Sequence, residues 1–146
     1  MSIKNKAYIV GIYEHPTRKA EDKSLAQLHA ESAKGALEDA GLSKNDIDGY
    51  FCAGDAPGLG PLSMADYMGL RLRHMDSTDT GGSSYLVHVG HAAEAIALGK
   101  CNIACGLCWA WCEAATLIQA SCSLVVPYWC MWRIAHIAYM FAVAGP

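Results

Sequence analysis

The stretch that decides the fold is Asp76-Ser77-Thr78-Asp79-Thr80-Gly81-Gly82-Ser83-Ser84, running on into Tyr85-Leu86-Val87-His88-Val89-Gly90-His91-Ala92-Ala93-Glu94-Ala95-Ile96-Ala97-Leu98-Gly99-Lys100. It opens polar and glycine-rich and continues as a helical run of small and apolar residues. A helix from about Ser83 to Leu98 would present unpaired N–H groups and the positive end of its dipole at the turn. The sequence therefore predicts a place that holds an anion or a developing oxyanion. Leu86, Val89, Ala93 and Ile96 share one face, while Gly90, Ala92 and Ala97 leave room for neighbouring backbone, which predicts a helix buried centrally.

Upstream, Ala7-Tyr8-Ile9-Val10-Gly11-Ile12-Tyr13 is β-rich and almost continuously apolar, the pattern of a strand covered on both faces. Ser24 followed three residues later by Gln27 fits a capping box. Leu25, Leu28, Ala33, Ala36, Leu37 and Ala40 then recur at helical spacing until Gly41. A second strand is expected over Gly49–Gly54, a loop over Asp55–Pro61, a short helix over Leu62–Leu70 and an extended piece near Leu72–Asp76. Cys101-Asn102-Ile103-Ala104 begins a further strand. Strands alternating with helices give an α/β fold with a layered sheet.

The chain has 146 residues, a net charge of −3 and scattered lysines and arginines, so it carries no basic stripe and nucleic acid is not an expected partner. The first residues form neither a long apolar segment nor a small-residue cleavage site, and the expected location is cytoplasmic. Seven cysteines are then free thiols by default rather than a disulfide framework.

Three segments carry a resemblance to the thiolase superfamily, in its sterol-carrier-associated, acetyl-CoA acetyltransferase-like branch. Lys6 to Gly11 is similar to the opening strand of that branch. Ala33-Lys34-Gly35-Ala36-Leu37-Glu38-Asp39-Ala40-Gly41-Leu42-Ser43-Lys44-Asn45-Asp46-Ile47-Asp48 resembles the first helix and the turn after it. Thr78–Ser84 with His88-Val89-Gly90-His91-Ala92-Ala93 and Ile96-Ala97-Leu98-Gly99-Lys100-Cys101 resembles the nucleophile turn and central helix. The resemblance spans residues about 5–103. It implies part of a layered α/β/α domain with a mixed sheet, truncated relative to a family whose second, similar half holds further histidine and cysteine motifs absent here.

The resemblance also implies a substrate: a coenzyme A thioester, with carbon–carbon bonds made or broken beside it in lipid or sterol side-chain metabolism. No bound cofactor or metal is implied, and the acting assembly is a homodimer or a complex with a partner subunit. In the family's thiolases a cysteine in this turn becomes acylated, its thiolate stabilised by the helix dipole. Counting back from Ala92 and Gly99, that position is Gly82, which cannot be acylated. One reading keeps Gly81 and Gly82 as substrate-binding backbone in non-covalent chemistry, which needs an acid/base and enolate stabilisation. The other makes Ser83 or Ser84 the nucleophile, although no adjacent base is identifiable. His88 and His91 lie on adjacent helix positions, and His88 joins Ser83 and Ser84 as a candidate catalytic residue; helix capping by the serines and structural hydrogen bonding by the histidines are the plain alternatives.

The division expected along the chain is 1–103 as the thiolase-like part and 104–146 as an apolar tail. From Cys101 to Pro146 only Glu113 and Arg133 are charged, and all four tryptophans and six cysteines fall there. Cys101, Cys105 and Cys108 have the C-x3-C-x2-C spacing of some iron–sulfur sites, and Cys105, Cys108, Cys112 and His136 match zinc in ligand number. Neither has supporting context. Ala114 to Trp132 is uncharged but too polar for a good membrane span. The abrupt change of composition is what a reading-frame shift gives, so the alternatives to an enzyme are a non-catalytic interaction subunit docking through this tail and a frame-shifted fragment of a thiolase.

Overall fold

The structure, a computed structural model, describes residues 3–4, 6–16, 22–53, 58–81, 83–107 and 137–142. Its elements in chain order are β1 (Tyr8–Glu14), α1 (Leu25–Ala40), β2 (Gly49–Cys52), α2 (Pro61–Met68), β3 (His74–Ser77), α3 (Ser84–Ala97), β4 (Ile103–Leu107) and β5 (Ile137–Ala142). The strands form one mixed sheet in the order β1-β5-β4-β2-β3. β2 runs parallel to both β3 and β4, and β5 is antiparallel to both β4 and β1.

Period-two alternation along β2 sorts the core onto the two faces. Tyr50 and Cys52 meet Ala33, Ala36 and Leu37 of α1, Met64 of α2 and Cys105 of β4. Phe51 points the other way, to Ala92, Ala95 and Ile96 of α3 with Cys101 and Ala104. Every residue of β2 is buried, as a central strand with parallel partners on both sides requires. The result is an α/β/α layering, the fold class the alternation predicts.

Helix α1 starts at Ser24, whose side chain accepts a hydrogen bond from Gln27 N at 3.2 Å, and ends at Gly41. Only half of the predicted capping box forms. The Gln27 side chain instead donates to Glu31 Oε1 at 2.8 Å, where Lys23 and the buried His15 also bind the carboxylate. Four side chains from the end of β1 and the first turns of α1 thus close this crossover. α1 lies hard against β1: a Cβ on Gly11 would sit 2.4 Å from Ala36 O, and one on Gly35 would sit 2.4 Å from the Tyr13 ring.

The expectation that β1 is covered on both faces does not hold. Tyr8, Ile9, Val10 and Ile12 are exposed, because β1 ends the sheet and α3 packs over β4, β2 and β3 instead. The predicted face of α3 is also shifted. Leu86 is 77% exposed and the buried stripe is Ser84, His88, Ala92, Ala95 and Ile96. Gly90 marks no close approach, since a Cβ there would meet nothing within 4 Å.

Residues 137–142 of the apolar tail form β5, placed between β1 and β4. Cys101 and Cys105 belong to opposite faces of the sheet, so they do not converge as two ligands of one site. Cys108, Cys112, His136 and the run 114–132 lie outside the described residues. No helix among the described residues is long and apolar enough to cross a membrane.

Asp48, between the short 3-10 turn at Lys44–Asp46 and β2, joins the starts of three strands. Its carbonyl accepts from Arg73 N at 2.8 Å and His74 N at 3.1 Å, where β3 begins. Its carboxylate accepts from Asn102 N at 2.7 Å, Ile103 N at 2.9 Å and Asn102 Nδ2 at 2.9 Å, where β4 begins. Asp48→Ala leaves the β4 amides without their charged acceptor and is expected to lower stability by about 1–3 kcal/mol, read as a reduced urea midpoint at unchanged m value.

Hydrogen bonds from Lys23, then His15 and Gln27, hold the Glu31 carboxyl down to about 2, below its ordinary 4.5. A depressed folded-state value means that this stabilisation is present above the unfolded value and is lost as pH falls through the folded one. Thermal melts of the wild type and Glu31→Gln should differ at pH 6 and converge as the pH is lowered from about 4.5 towards 2.

Candidate functional site

Because β2, β3 and β4 are parallel, their carboxyl ends emerge together at one edge of the sheet, the usual place for ligands in open α/β sheets. The turn after β3 lies there. Its geometry is set from beneath by two buried side chains of α3. The Ser84 hydroxyl accepts from Thr80 N at 2.9 Å and donates to Gly81 O at 2.7 Å. His88 Nε2 lies 3.2 Å from Thr78 N and 3.0 Å from Thr78 O, tying the end of β3 to the second turn of the helix.

These contacts correct the expectation of a row of free amides. Thr78, Thr80 and Gly81 donate respectively to His88, Ser84 and Asp79, and Ser84 N donates to Gly81 O. At the helix start the Ser83 N–H has no partner among the described residues. Ser83 is the exposed N-cap residue and its side chain makes no capping bond. Gly81 is exposed beside it, and Gly82 lies outside the described residues.

The structure thus separates the predicted residues. Ser84 and His88 are 1% and 3% exposed and shape the turn from below, while Ser83 and Gly81 face solvent. No hydrogen bond joins either serine to a histidine among the described residues, so the structure shows no serine–histidine nucleophile pair. Nor does a described cysteine offer a nucleophile. Cys52, Cys101 and Cys105 are buried, and burial pushes the Cys101 thiol up to about 11 and the Cys105 thiol up to about 12, far from a thiolate at neutral pH.

One pair was not identified from the sequence. His91 Nδ1 lies 2.6 Å from Asp76 Oδ2, and Asp76 Oδ1 accepts from Ser77 N at 2.8 Å. Thr78 Oγ1 stands 3.5 Å from the same His91 nitrogen. The imidazole is 40% exposed and the carboxylate 34%. A histidine three residues after His88 was visible in the sequence, but its partner lies across the turn, fifteen residues earlier, where only the strand register brings it alongside. Among the described residues no three His, Cys, Asp or Glu side chains converge as a metal site. A groove of about 360 Å³ between α1, the 3-10 turn and α2, lined by Leu37, Leu42, Ile47, Met68 and Leu70 among others, lies by the opposite ends of β2 and β3.

With this geometry in place, similarity to solved structures becomes interpretable. The chain is similar to the Ltp2-ChsH2(DUF35) aldolase, with a TM-score of 0.65 and 22% identity over 81% of this chain and 33% of that one. It is similar to an acetyl-CoA acetyltransferase from Syntrophomonas wolfei, with a TM-score of 0.61 and 21% identity over 77% of this chain and 32% of that one. The fold is thiolase-like. Xanthomonas campestris OleA bound with cerulenin shares the thiolase-like fold, with a TM-score of 0.65 and 12% identity over 94% of this chain and 57% of that one. The chain therefore spans 33%, 32% and 57% of these three structures, and the thiolase-like part it represents is the N-terminal portion. The sequence matches no protein-family model and no curated protein.

Ser84→Ala removes the hydroxyl that joins Thr80 N to Gly81 O and should cost about 1–3 kcal/mol. Loss of amide-exchange protection at Thr80 checks it. Ser83→Ala, at an exposed position with no capping bond, should stay within about 0.5 kcal/mol.

Proposed function

We propose that this chain is the N-terminal part of a thiolase-like acyl-CoA enzyme that works without a covalent acyl intermediate. The observation that carries the reading is the turn after β3. It is fixed by Ser84 and His88, opens at the carboxyl edge of a parallel sheet, and exposes Gly81 and Ser83 where a nucleophile would be expected to act. The Gly82 substitution excludes acylation at that position, and the buried thiols offer no replacement. What this backbone supplies is polarisation of a thioester carbonyl from the start of α3.

The substrate in this reading is a coenzyme A thioester in lipid or sterol side-chain metabolism, with no resident cofactor. The buried thiols of Cys101 and Cys105 support a reducing, cytoplasmic setting. The exposed apolar residues Tyr8, Val10 and Ile12 of β1 support assembly with a second copy or a partner subunit. The same residues favour a second reading, in which the chain is a non-catalytic subunit whose role is to dock that partner.

Titration of the full chain with butyryl-CoA, followed by amide NMR, separates the two. The acyl-CoA reading expects saturable shifts at Gly81, Ser83 and Ser84, and at least tenfold weaker binding in Ser83→Asp, where a negative charge is set against the thioester and phosphates. Absence of saturable shifts at this turn would overturn it.

A further inference from the structure

We infer that His91, oriented by Asp76, is the acid/base residue of this site, abstracting and returning a proton at the carbon next to the thioester carbonyl. The inference rests on the acyl-CoA reading above and extends it from binding to chemistry. Its support is the arrangement of one side-chain pair. Asp76 is the third residue of β3, so its backbone is held in the sheet, and its Oδ1 is occupied by Ser77 N. Oδ2 is left to face His91 on α3 at 2.6 Å, a charge-assisted bond from a fixed strand to a fixed helix.

A carboxylate on Nδ1 keeps the proton on that nitrogen and leaves the lone pair of the neutral ring on Nε2. Nε2 makes no hydrogen bond among the described residues, and the ring is 40% exposed. His88 is the opposite case. Three residues earlier on the same helix, it is buried and its Nε2 is committed to Thr78. Of the two histidines beside the turn, His91 alone has the ring nitrogen and exposure that a proton transfer to bound substrate needs. Thr78 Oγ1 approaches Nδ1 rather than Nε2, so it helps hold the ring and is not a nucleophile activated by it.

The step balances within the site. The α-carbon–hydrogen bond breaks, a bond forms between that proton and Nε2, and the electron pair moves through the α-carbon onto the thioester oxygen, giving an enolate. Asp76 stays ionised, the Nδ1 proton stays in place, and return of a solvent-exchanged proton from Nε2 regenerates the thioester. Asp76 is a positioning residue in this scheme.

The test is incorporation of deuterium at the α-carbon of butyryl-CoA in D2O, measured by mass spectrometry with the full chain, and with background exchange in buffer subtracted. The wild type is expected to exchange above background. His91→Gln should lower the protein-dependent rate by at least 100-fold while butyryl-CoA binding, read by the same NMR titration, stays within twofold. Asp76→Asn should slow exchange and shift the histidine nitrogen spectrum away from the Nδ1–H tautomer, and Asp76→Glu should restore part of the rate. Binding without exchange, or exchange undiminished in His91→Gln, overturns this assignment and leaves the binding reading intact. No binding at all overturns both.

Discussion

The carboxylate and carbonyl of Asp48 are the constraint on which the rest of the sheet depends. One residue, in the bend before β2, receives the first amides of β4 on its side chain and those at the start of β3 on its main chain. Three parallel strands therefore begin at one level. Because β2 and β3 are each four residues long, they also finish near one level. The turn that follows β3 is consequently placed at the edge of the sheet by a joint at the other end of the strands.

Above that joint, small side chains set the distances. Ala92 and Ala95 let α3 lie close over Phe51 and Ala104, and on the opposite face Ala33 and Ala36 do the same for α1. This closeness is what allows Ser84 and His88 to reach the main chain of the turn and His91 to reach Asp76. Packing density and site geometry are here the same fact: a bulkier residue at Ala92 would push away the helix that carries all three side chains.

Much of this was legible in the sequence because it is local. The span of α1, with Ser24 before it and Gly41 after it, follows from periodicity and terminal residues; a strand beginning at Gly49 and a short helix just past the loop follow from apolar runs and breakers, although the strand ends at Cys52 rather than Gly54 and α2 takes in Pro61. What was not legible is pairwise and distant. The apolar pattern of Tyr8–Ile12 gives a strand, but it does not tell whether a helix reaches over it. Leu86 reads as a core residue by spacing, yet the helix turns Ser84 and His88 inward because their polar atoms meet the turn. The amides of Thr78 and Thr80 looked free because their acceptors, a histidine and a serine further along, are identified only once the helix is folded back. Asp76 and His91 form a pair for the same reason.

The position of β5 has a consequence in time. Tyr8 pairs with Ala142, so β1 acquires this neighbour only after the residues up to Ala142 have been synthesised. β2, β3 and β4, joined by Asp48, can associate well before that. Pairing of β5 with β4 and β1 is the step that seats β1, and pairings so distant along a chain form slowly. Until then Tyr8, Ile9, Val10 and Ile12 remain an apolar strand without a mate, the kind of segment that engages chaperones or other nascent chains. The order of synthesis therefore bears on how this sheet is completed, beside the contacts of its final form.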